Sequence, residues 1–311
     1  MTTSLGRKVL FLGSVEFSER LFRDVLRHWT PDDSVEVLGF VSLSPMSQQG
    51  DYRNLKNLAQ EVGLPYFELN SSRSGAELES LIGSLKPDLV ISIGWPRLIP
   101  ETCLNAVAQG VIGYHPTALP RHRGRHPLIW SIALGLKNSA SSFFVMTPAA
   151  DAGDLVNQAT FDLEETETAR TLYEKLLKIA CQQLKDILDQ WMVSGALSRK
   201  SQDPSLATSW RKRNSLDGQI DWRMSAFQID RLVRALSDPY PGATLQHGNQ
   251  NYKIWKTLII HPNGGPAFEP GRILYWSKDH SGWVIACGDQ TQICLITTDP
   301  PLPQFQPGDY L

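Results

Sequence analysis

Short apolar runs and amphipathic segments alternate along the first two thirds of the chain. The apolar run at 8–12 predicts a strand, and Phe17, Leu21 and Val25 after it recur at the spacing of one helix face. The alternation continues with strands at 35–43, 65–69, 89–93, 111–112, 141–146 and 155–160, and with helices at 55–62, 76–85 and 169–193. It predicts an α/β fold with a Rossmann-like, mostly parallel sheet that carries helices on both faces.

The pattern changes after residue 195. Residues 196–221 are polar and include the basic run Arg211-Lys212-Arg213, which is typical of a linker. Ser225 then precedes one amphipathic helix, and short strands follow at 243–245, 252–260, 272–276, 283–287 and 293–297. This pattern predicts a small OB-like β-barrel. The expected domains are therefore 1–195 and 222–311, joined by the linker 196–221.

The composition of the chain excludes several classes of function. The net charge of −2 excludes a protein whose whole surface binds nucleic acid, although a local basic site stays open. The four cysteines form no CxxC pair, so neither a zinc site nor a disulfide framework is expected. No apolar run is long enough to span a bilayer, and no secretory signal precedes Lys8. We therefore expect a cytoplasmic protein that does not enter a membrane.

Candidate chemistry is concentrated in the segment 110–130, which reads GVIGYHPTALPRHRGRHPLIW. It runs from a strand into a loop with three histidines, three arginines and no acidic residue, a common setting for an active site in an α/β protein. His122 and His126 stand at helical spacing, but Pro120 and Gly124 interrupt a helix there, and no third ligand is evident. The segment therefore predicts a site without a metal.

His115 follows this strand directly, and Asp151 lies one helix and one strand later in the stretch ADAGD. A histidine beside a carboxylate can stabilise a developing oxyanion or carry a proton from an attacking amine. No serine or cysteine stands in a nucleophile elbow, so a covalent acyl-enzyme is not expected. The residues favour direct acyl transfer between two bound substrates.

Several stretches together resemble the folate-dependent formyltransferases. HPTALPRHRGRHPLIW is similar to the HPSLLPxYRGxxP signature of that family, ADAGD to its DxG loop, and residues 87–100 to its folate-binding loop. Ile220-Asp221-Trp222 and DPYPGA at 238–243 are similar to the carboxy-terminal domain shared by methionyl-tRNA formyltransferases and nucleotide-sugar N-formyltransferases. The resemblance covers nearly the whole chain, and it makes residues 1–195 the catalytic domain.

The resemblance implies formyl transfer from 10-formyltetrahydrofolate to an amine, without a metal. His115 would stabilise the tetrahedral oxyanion, and Asp151 would orient His115 and assist proton removal. The donor would be held after the strand at 89–93 and in the Asp151 loop, at Trp95, Arg97, Leu98, Ile99, Ala149 and Asp154. A loop that follows a buried strand is also a common place for flat ligands to bind.

Gly113 departs from the family pattern. The family has an asparagine two residues before the histidine, and the side-chain amide of that asparagine helps to bind the formyl oxygen. Loss of one oxyanion donor costs about 10²–10³ in rate in other enzymes. The alternative to a fully active enzyme is therefore a catalytically weakened homologue that binds folate or a nucleotide.

The acceptor is the second open point. The tRNA-directed members carry a basic insertion after the second strand, whereas residues 42–57 contain only Arg53 and Lys56 as basic residues. RGRHP and DPYPGA resemble the nucleotide-sugar members, which favours a nucleotide-linked amino sugar. The residues expected to bind it are Arg123, Arg125 and Tyr240. Methionyl-tRNA and, in a hydrolase variant, water are the alternatives, and a homodimer stays open.

Overall fold

The computed structural model describes residues 6–32, 34–45, 51–261 and 267–311. Contacts between Cα atoms divide the chain into two compact units that are interleaved along the sequence. The first unit comprises residues 1–124, 139–161 and 174–210, and the second comprises residues 125–138, 162–173 and 211–311. Residues 196–210 thus belong to the first unit, while the expected domain boundaries at 195 and 221 stay a prediction.

Strands and helices alternate to residue 194, as the apolar pattern predicts. The strands are β1 (Arg7–Gly13), β2 (Val35–Leu43), β3 (Tyr66–Leu69), β4 (Leu89–Ile93), β5 (Val111–His115), β6 (Arg123–Gly124), β7 (Asn138–Val145) and β8 (Leu155–Asp162). The helices are α1 (Glu16–His28), α2 (Lys56–Val62), α3 (Ser74–Leu85), α4 (Glu101–Ala106), α5 (Pro127–Ala133) and α6 (Ala169–Ser194). A short strand, β9 (Ser209–Trp210), follows in the polar segment.

The first unit is built on a seven-stranded sheet in the order β3-β2-β1-β4-β5-β7-β8. The pairs from β3 to β5 are parallel, whereas β7 runs antiparallel to β5, with Phe144 opposite Gly113 and Ser142 opposite His115. The mostly parallel sheet predicted from the sequence is confirmed. Because β7 runs antiparallel, its last residue Val145 lies opposite Ile112, and the Met146 N–H at the start of the Asp151 loop donates to the Val111 carbonyl.

Two apolar layers cover the two faces of this sheet. The first layer joins alternate residues of β1 to α1 and α6, through Val9, Phe11, Leu21 and Leu184. The second joins the intervening residues of β1 to α3, through Leu10, Leu12, Leu78 and Ile82. Each such side chain, when fully buried, stabilises the fold by about 1.5–3 kcal/mol. Helices on both faces are therefore confirmed, and they hold the strand ends in fixed positions.

The second unit contains a five-stranded antiparallel sheet in the order β10-β11-β14-β13-β12, as expected of the small carboxy-terminal β domain. Its elements are α7 (Ala226–Ala235), β10 (Ala243–His247), β11 (Gln250–Ile260), β12 (Ile273–Ser277), β13 (Gly282–Ala286) and β14 (Gln292–Asp299). Ser225 caps α7 as predicted, because its side chain accepts the Gln228 N–H.

The predicted pattern lacks the short helix α4 and the strand pair formed by β6 and β9. Arg123 pairs with Ser209 and Gly124 with Trp210, in parallel. This pairing joins the polar segment predicted as linker to the loop after β5. None of the helices within the described ranges has the length and apolar character that a membrane crossing needs.

Candidate active site

His115 is the last residue of β5, at the carboxyl end of a strand in a parallel region, where α/β proteins commonly bind ligands. Its side chain is buried, and Nε2 lies 2.8 Å from the carbonyl oxygen of His122. A carbonyl only accepts, so Nε2 carries the proton and donates it in this bond. The neutral ring therefore has its lone pair on Nδ1.

Asp151 lies on the loop between β7 and β8 and faces that second nitrogen. Its Oδ2 is 3.8 Å from Nδ1 of His115, a charge-pair distance that is too long for a hydrogen bond. The same oxygen accepts the Gly124 N–H at 2.8 Å, which fixes the carboxylate. The structure thus brings together the two residues that the sequence singled out.

The backbone of the Asp151 loop restricts which residue types can occupy positions 151 and 153. Asp151 has a φ of 55°, in the left-handed region that Asp and Asn tolerate better than most residues. A Cβ on Gly153 would lie 1.8 Å from the Val145 carbonyl oxygen, so only glycine fits there. The spacing of the ADAGD stretch is therefore a requirement of this turn.

The pair can hold one additional proton. If Nδ1 of His115 is protonated, both ring nitrogens donate, one toward the His122 carbonyl and one toward the Asp151 carboxylate. The arrangement can therefore take a proton from a reacting group and stabilise negative charge that develops beside it.

The loop that follows His115 is tied to the sheet by side chains that sequence patterns did not single out. Ser142 Oγ donates to the Thr117 carbonyl at 2.6 Å, and Gln158 Nε2 donates to the Leu119 carbonyl at 3.0 Å. Thr208 Oγ1 accepts the His122 N–H at 2.9 Å. These contacts fix the carbonyl that binds the His115 ring.

The imidazole of His122 stacks on the indole of Trp210, with ring centroids 4.2 Å apart and an interplanar angle of 4°. Burial lowers the pKa of His122 below its ordinary value of 6.5, and the charges of Arg121 and His115 lower it further. His122 is therefore favoured in its neutral form, as a flat apolar face against Trp210. The pKa of His126 is lowered too, chiefly by burial and then by Arg125.

Gln202 connects the parts of the site, although its position in a polar segment carried no signal that could have identified it. Its Nε2 donates to the carbonyl oxygens of Asp151, at 2.9 Å, and Gly153, at 2.7 Å. Its Oε1 accepts from Nη2 of Arg123 at 2.7 Å. One amide thus holds both the Asp151 loop and the Arg123 guanidinium.

Among the residues expected to bind the acceptor, Arg123 lies in the first unit beside Gly124. Its Nε is buried and makes no hydrogen bond within the described part of the chain. Arg125 is exposed and Tyr240 is half-buried, and both belong to the second unit. Binding of an acceptor by any of these three residues stays a prediction.

The residues expected to bind the donor follow β4 or lie in the Asp151 loop. Ile99 is buried in the second apolar layer and Trp95 packs against it, whereas Leu98 is 86% exposed. Arg97 and Ala149 are exposed as well. Asp154 accepts the Val145 N–H through its carbonyl oxygen at 2.8 Å. Leu98 is thus an apolar side chain exposed to solvent in the segment that follows β4.

The space beside Gly113 is occupied by two side chains, Phe144 of β7 and Met146 directly after it. A Cβ at this position would lie 2.9 Å from Cγ of Met146, closer than real Cβ atoms pack, and 3.0 Å from Cζ of Phe144, which is tighter than most real Cβ contacts. The space that an asparagine side chain would need is therefore filled by these two residues.

Among the described residues, no group of three or more His, Cys, Asp or Glu is arranged to hold a metal ion.

Comparisons with known proteins agree with this geometry. Residues 7–188 match the family model described as formyl transferase, and residues 214–301 match the model described as formyl transferase, C-terminal domain. The two matches cover both the sheet that carries His115 and the carboxy-terminal β domain.

Individual relatives cover almost the whole chain. A methionyl-tRNA formyltransferase of Bacillus subtilis is 28% identical over 298 residues, which are 94% of this chain and 90% of that protein. Another of Akkermansia muciniphila is 30% identical over 305 residues, 95% of this chain and 92% of that protein. The solved structure of WlaRD, a sugar 3N-formyl transferase with dTDP and 5-N-formyl-THF, has a TM-score of 0.66 at 16% identity and covers 95% of this chain and 99% of that one. The last likeness shows the fold alone.

Proposed function

We propose a donor and an acceptor for this chain, which belongs to the formyl transferase family and, like its members, catalyses formyl transfer. The donor is 10-formyltetrahydrofolate, and the acceptor is the amino group of a nucleotide-linked amino sugar. The observation that carries the reaction is the pairing of His115 with Asp151 at the end of β5. The formylated folate and dTDP named with WlaRD support both substrates.

The reaction needs one nucleophilic attack and one proton movement. The amine nitrogen attacks the formyl carbon, and the electron pair of the carbonyl moves to oxygen. When the tetrahedral intermediate collapses, the bond from carbon to N10 breaks, and N10 takes up the proton that the amine loses. His115 takes the proton of the amine on Nδ1 and passes it to N10; in between, its positive charge lies beside the oxyanion, and Asp151 stabilises the imidazolium through the 3.8 Å charge pair.

The sugar acceptor is favoured over tRNA by charge. The connection between β2 and α2 has Arg53 as its basic residue, and part of it, 46–50, lies outside the described residues. Binding a nucleic-acid backbone requires several cations, each of which neutralises a phosphate. A diphosphate needs fewer, and the buried Nε of Arg123 offers a donor for a phosphate oxygen.

Methionyl-tRNA is the second candidate acceptor. The observation that favours it is the likeness of the whole chain to methionyl-tRNA formyltransferases, at 28% and 30% identity. The two acceptors share the amine, the donor and the His115 chemistry. They differ in the number of phosphates that must be bound, and hence in their dependence on salt.

The experiment is a competition between acceptor classes. The purified protein is incubated with 10-formyltetrahydrofolate and a panel of UDP- and dTDP-linked amino sugars, and in parallel with methionyl initiator tRNA. We expect mass spectrometry to show one formyl group added to an amino sugar. The variant His115→Asn serves as the control and should form no product. Formylated tRNA with unchanged sugars would overturn the sugar proposal, and the tRNA reaction should then weaken steeply as salt rises.

A further inference from the structure

Ser92 is a polar residue in the otherwise apolar strand β4, and it is 3% exposed. Its Oγ is buried and has no hydrogen-bond partner within the described residues. Two other buried serines of the same sheet have partners, since Ser42 Oγ donates to the Gly13 carbonyl and Ser142 Oγ donates to the Thr117 carbonyl. A buried hydroxyl without a partner costs about 1–3 kcal/mol. The hydroxyl of Ser92 therefore does not stabilise the fold through a hydrogen bond within the described residues, and it is free to donate to a ligand.

The strand register places Ser92 beside the reaction centre. In the parallel pair of β4 and β5, Ser92 is the partner of Gly113. Side chains two residues apart on a strand share a face, so Gly113 and His115 lie on the same face of the sheet as Ser92. Because Gly113 has no side chain, nothing on β5 stands between the Ser92 position and His115 on that face.

We propose that the Ser92 hydroxyl donates a hydrogen bond to the formyl oxygen during transfer. The inference rests on the proposed donor and holds for either acceptor. As the amine attacks, the formyl oxygen becomes an oxyanion and accepts a hydrogen bond from Oγ–H of Ser92, with the charge of His115 nearby. Ser92 keeps its proton throughout, and the proton released by the amine goes to N10. The hydroxyl thus acts as one donor of an oxyanion hole.

Access to this face requires that both Met146 and Phe144 shift, because Cζ of Phe144 lies 3.0 Å from the place of a Cβ at Gly113. Cγ of Met146 lies 2.9 Å from the same place, and the Met146 side chain is half-buried. Methionine has three rotatable bonds and adapts to irregular space more readily than other apolar side chains. Rotation of Met146 and a small shift of Phe144 would free the space beside Gly113, the strand partner of Ser92, for a group as small as a formyl oxygen.

The first test compares two serine variants by steady-state kinetics. Ser92→Ala removes the proposed donor, and Ser139→Ala removes another buried hydroxyl of the sheet that has no partner in the described part of the chain. We expect Ser92→Ala to lower kcat about 10²-fold with the KM for the acceptor unchanged, because the bond strengthens as the oxyanion forms. Ser139→Ala should stay within about twofold of the wild type. Equal turnover of Ser92→Ala and the wild type would overturn the proposal.

Two further measurements distinguish the proposed role of Ser92 from a loss of stability and from a failure of the proposed donor. Removal of an unsatisfied hydroxyl should leave the melting temperature of Ser92→Ala equal or higher, so a parallel loss of stability and turnover would count against a role in transfer.

The second of these measurements compares the binding of 10-formyl-5,8-dideazafolate with that of 5,8-dideazafolate. We expect Ser92→Ala to reduce the preference for the formylated folate about three- to tenfold. An unchanged preference contradicts the Ser92 inference alone, whereas a wild type that binds neither folate contradicts the proposed donor as well.

Discussion

The charge of Asp151 can be separated from its backbone shape. Asparagine also tolerates a φ of 55°, and its side-chain oxygen can still accept the Gly124 N–H. We expect Asp151→Asn to keep the stability of the wild type and to lower kcat about 10²–10⁴-fold, since the imidazolium loses its counter-charge. Urea unfolding and turnover measure the two effects. The control Asp189→Asn removes a carboxylate of α6 that pairs with Lys185, and it should leave turnover unchanged.

Gly113 is constrained by packing as well as by chemistry. An asparagine there would meet Met146 and Phe144, and overpacking of this kind costs about 1–3 kcal/mol. We expect Gly113→Asn to lose that much free energy of unfolding and to gain no activity. The double variant Gly113→Asn/Met146→Ala makes room and should recover part of the stability. A more stable or faster single variant would contradict this account of the site.

His122 makes the stability of the fold depend on pH. Its pKa in the folded chain lies below 6.5, so between the two values the unfolded chain binds more protons than the folded one. The contribution of His122 to the free energy of unfolding is complete above pH 6.5 and is lost as the pH falls through the lowered pKa. We expect His122→Asn, which tolerates the φ of 62°, to reduce the loss of stability between pH 7.5 and 5. Urea midpoints across that range measure it, and an unchanged slope would assign the loss to other groups such as His126.

At the scale of elements, Gln202 joins segments that are distant in sequence. Removing its side chain frees the carbonyls of Asp151 and Gly153 together with the guanidinium of Arg123. We expect Gln202→Ala to lower kcat/KM about tenfold or more, because small displacements of reacting groups are costly. The exposed Gln182→Ala in α6 is the matched control and should behave as the wild type. Equal kcat/KM in both variants would mean that β6 and β9 hold the loop without this amide.

The sequence predicted much of this architecture because local patterns decide it. Apolar runs and helical spacing located β1, β4 and α6 to within a few residues, and the strand-to-loop position of His115 followed from β5. The antiparallel direction of β7, the pairing of β6 with β9 and the contacts of Gln202 depend on register between distant segments, which no local pattern encodes. The filling of the space at Gly113 by Met146 has the same origin.

At the scale of the whole molecule, each of the two units is built from three segments that are separate in sequence. The second unit includes residues 125–138 and 162–173 as well as 211–311, and α5 packs on α7 within it. A fragment that ends at 210 would keep Leu128, Ile129 and Ile132 but lose their partners in the second unit. We expect residues 1–210 to bind a hydrophobic dye and to unfold without a cooperative transition. Native-like, cooperative unfolding of this fragment would show that the first unit folds alone.

The stacked pair of His122 and Trp210 gives the molecule an optical reporter. A protonated imidazole quenches the excited state of an indole more strongly than a neutral one, and these two rings are parallel at 4.2 Å. The backbone carbonyl of His122 accepts the hydrogen bond of His115, so any displacement of this loop would alter the overlap of the rings. The difference in fluorescence between the wild type and Trp210→Phe isolates this signal from the other tryptophans. Loop movement can thus be followed in real time without an added label.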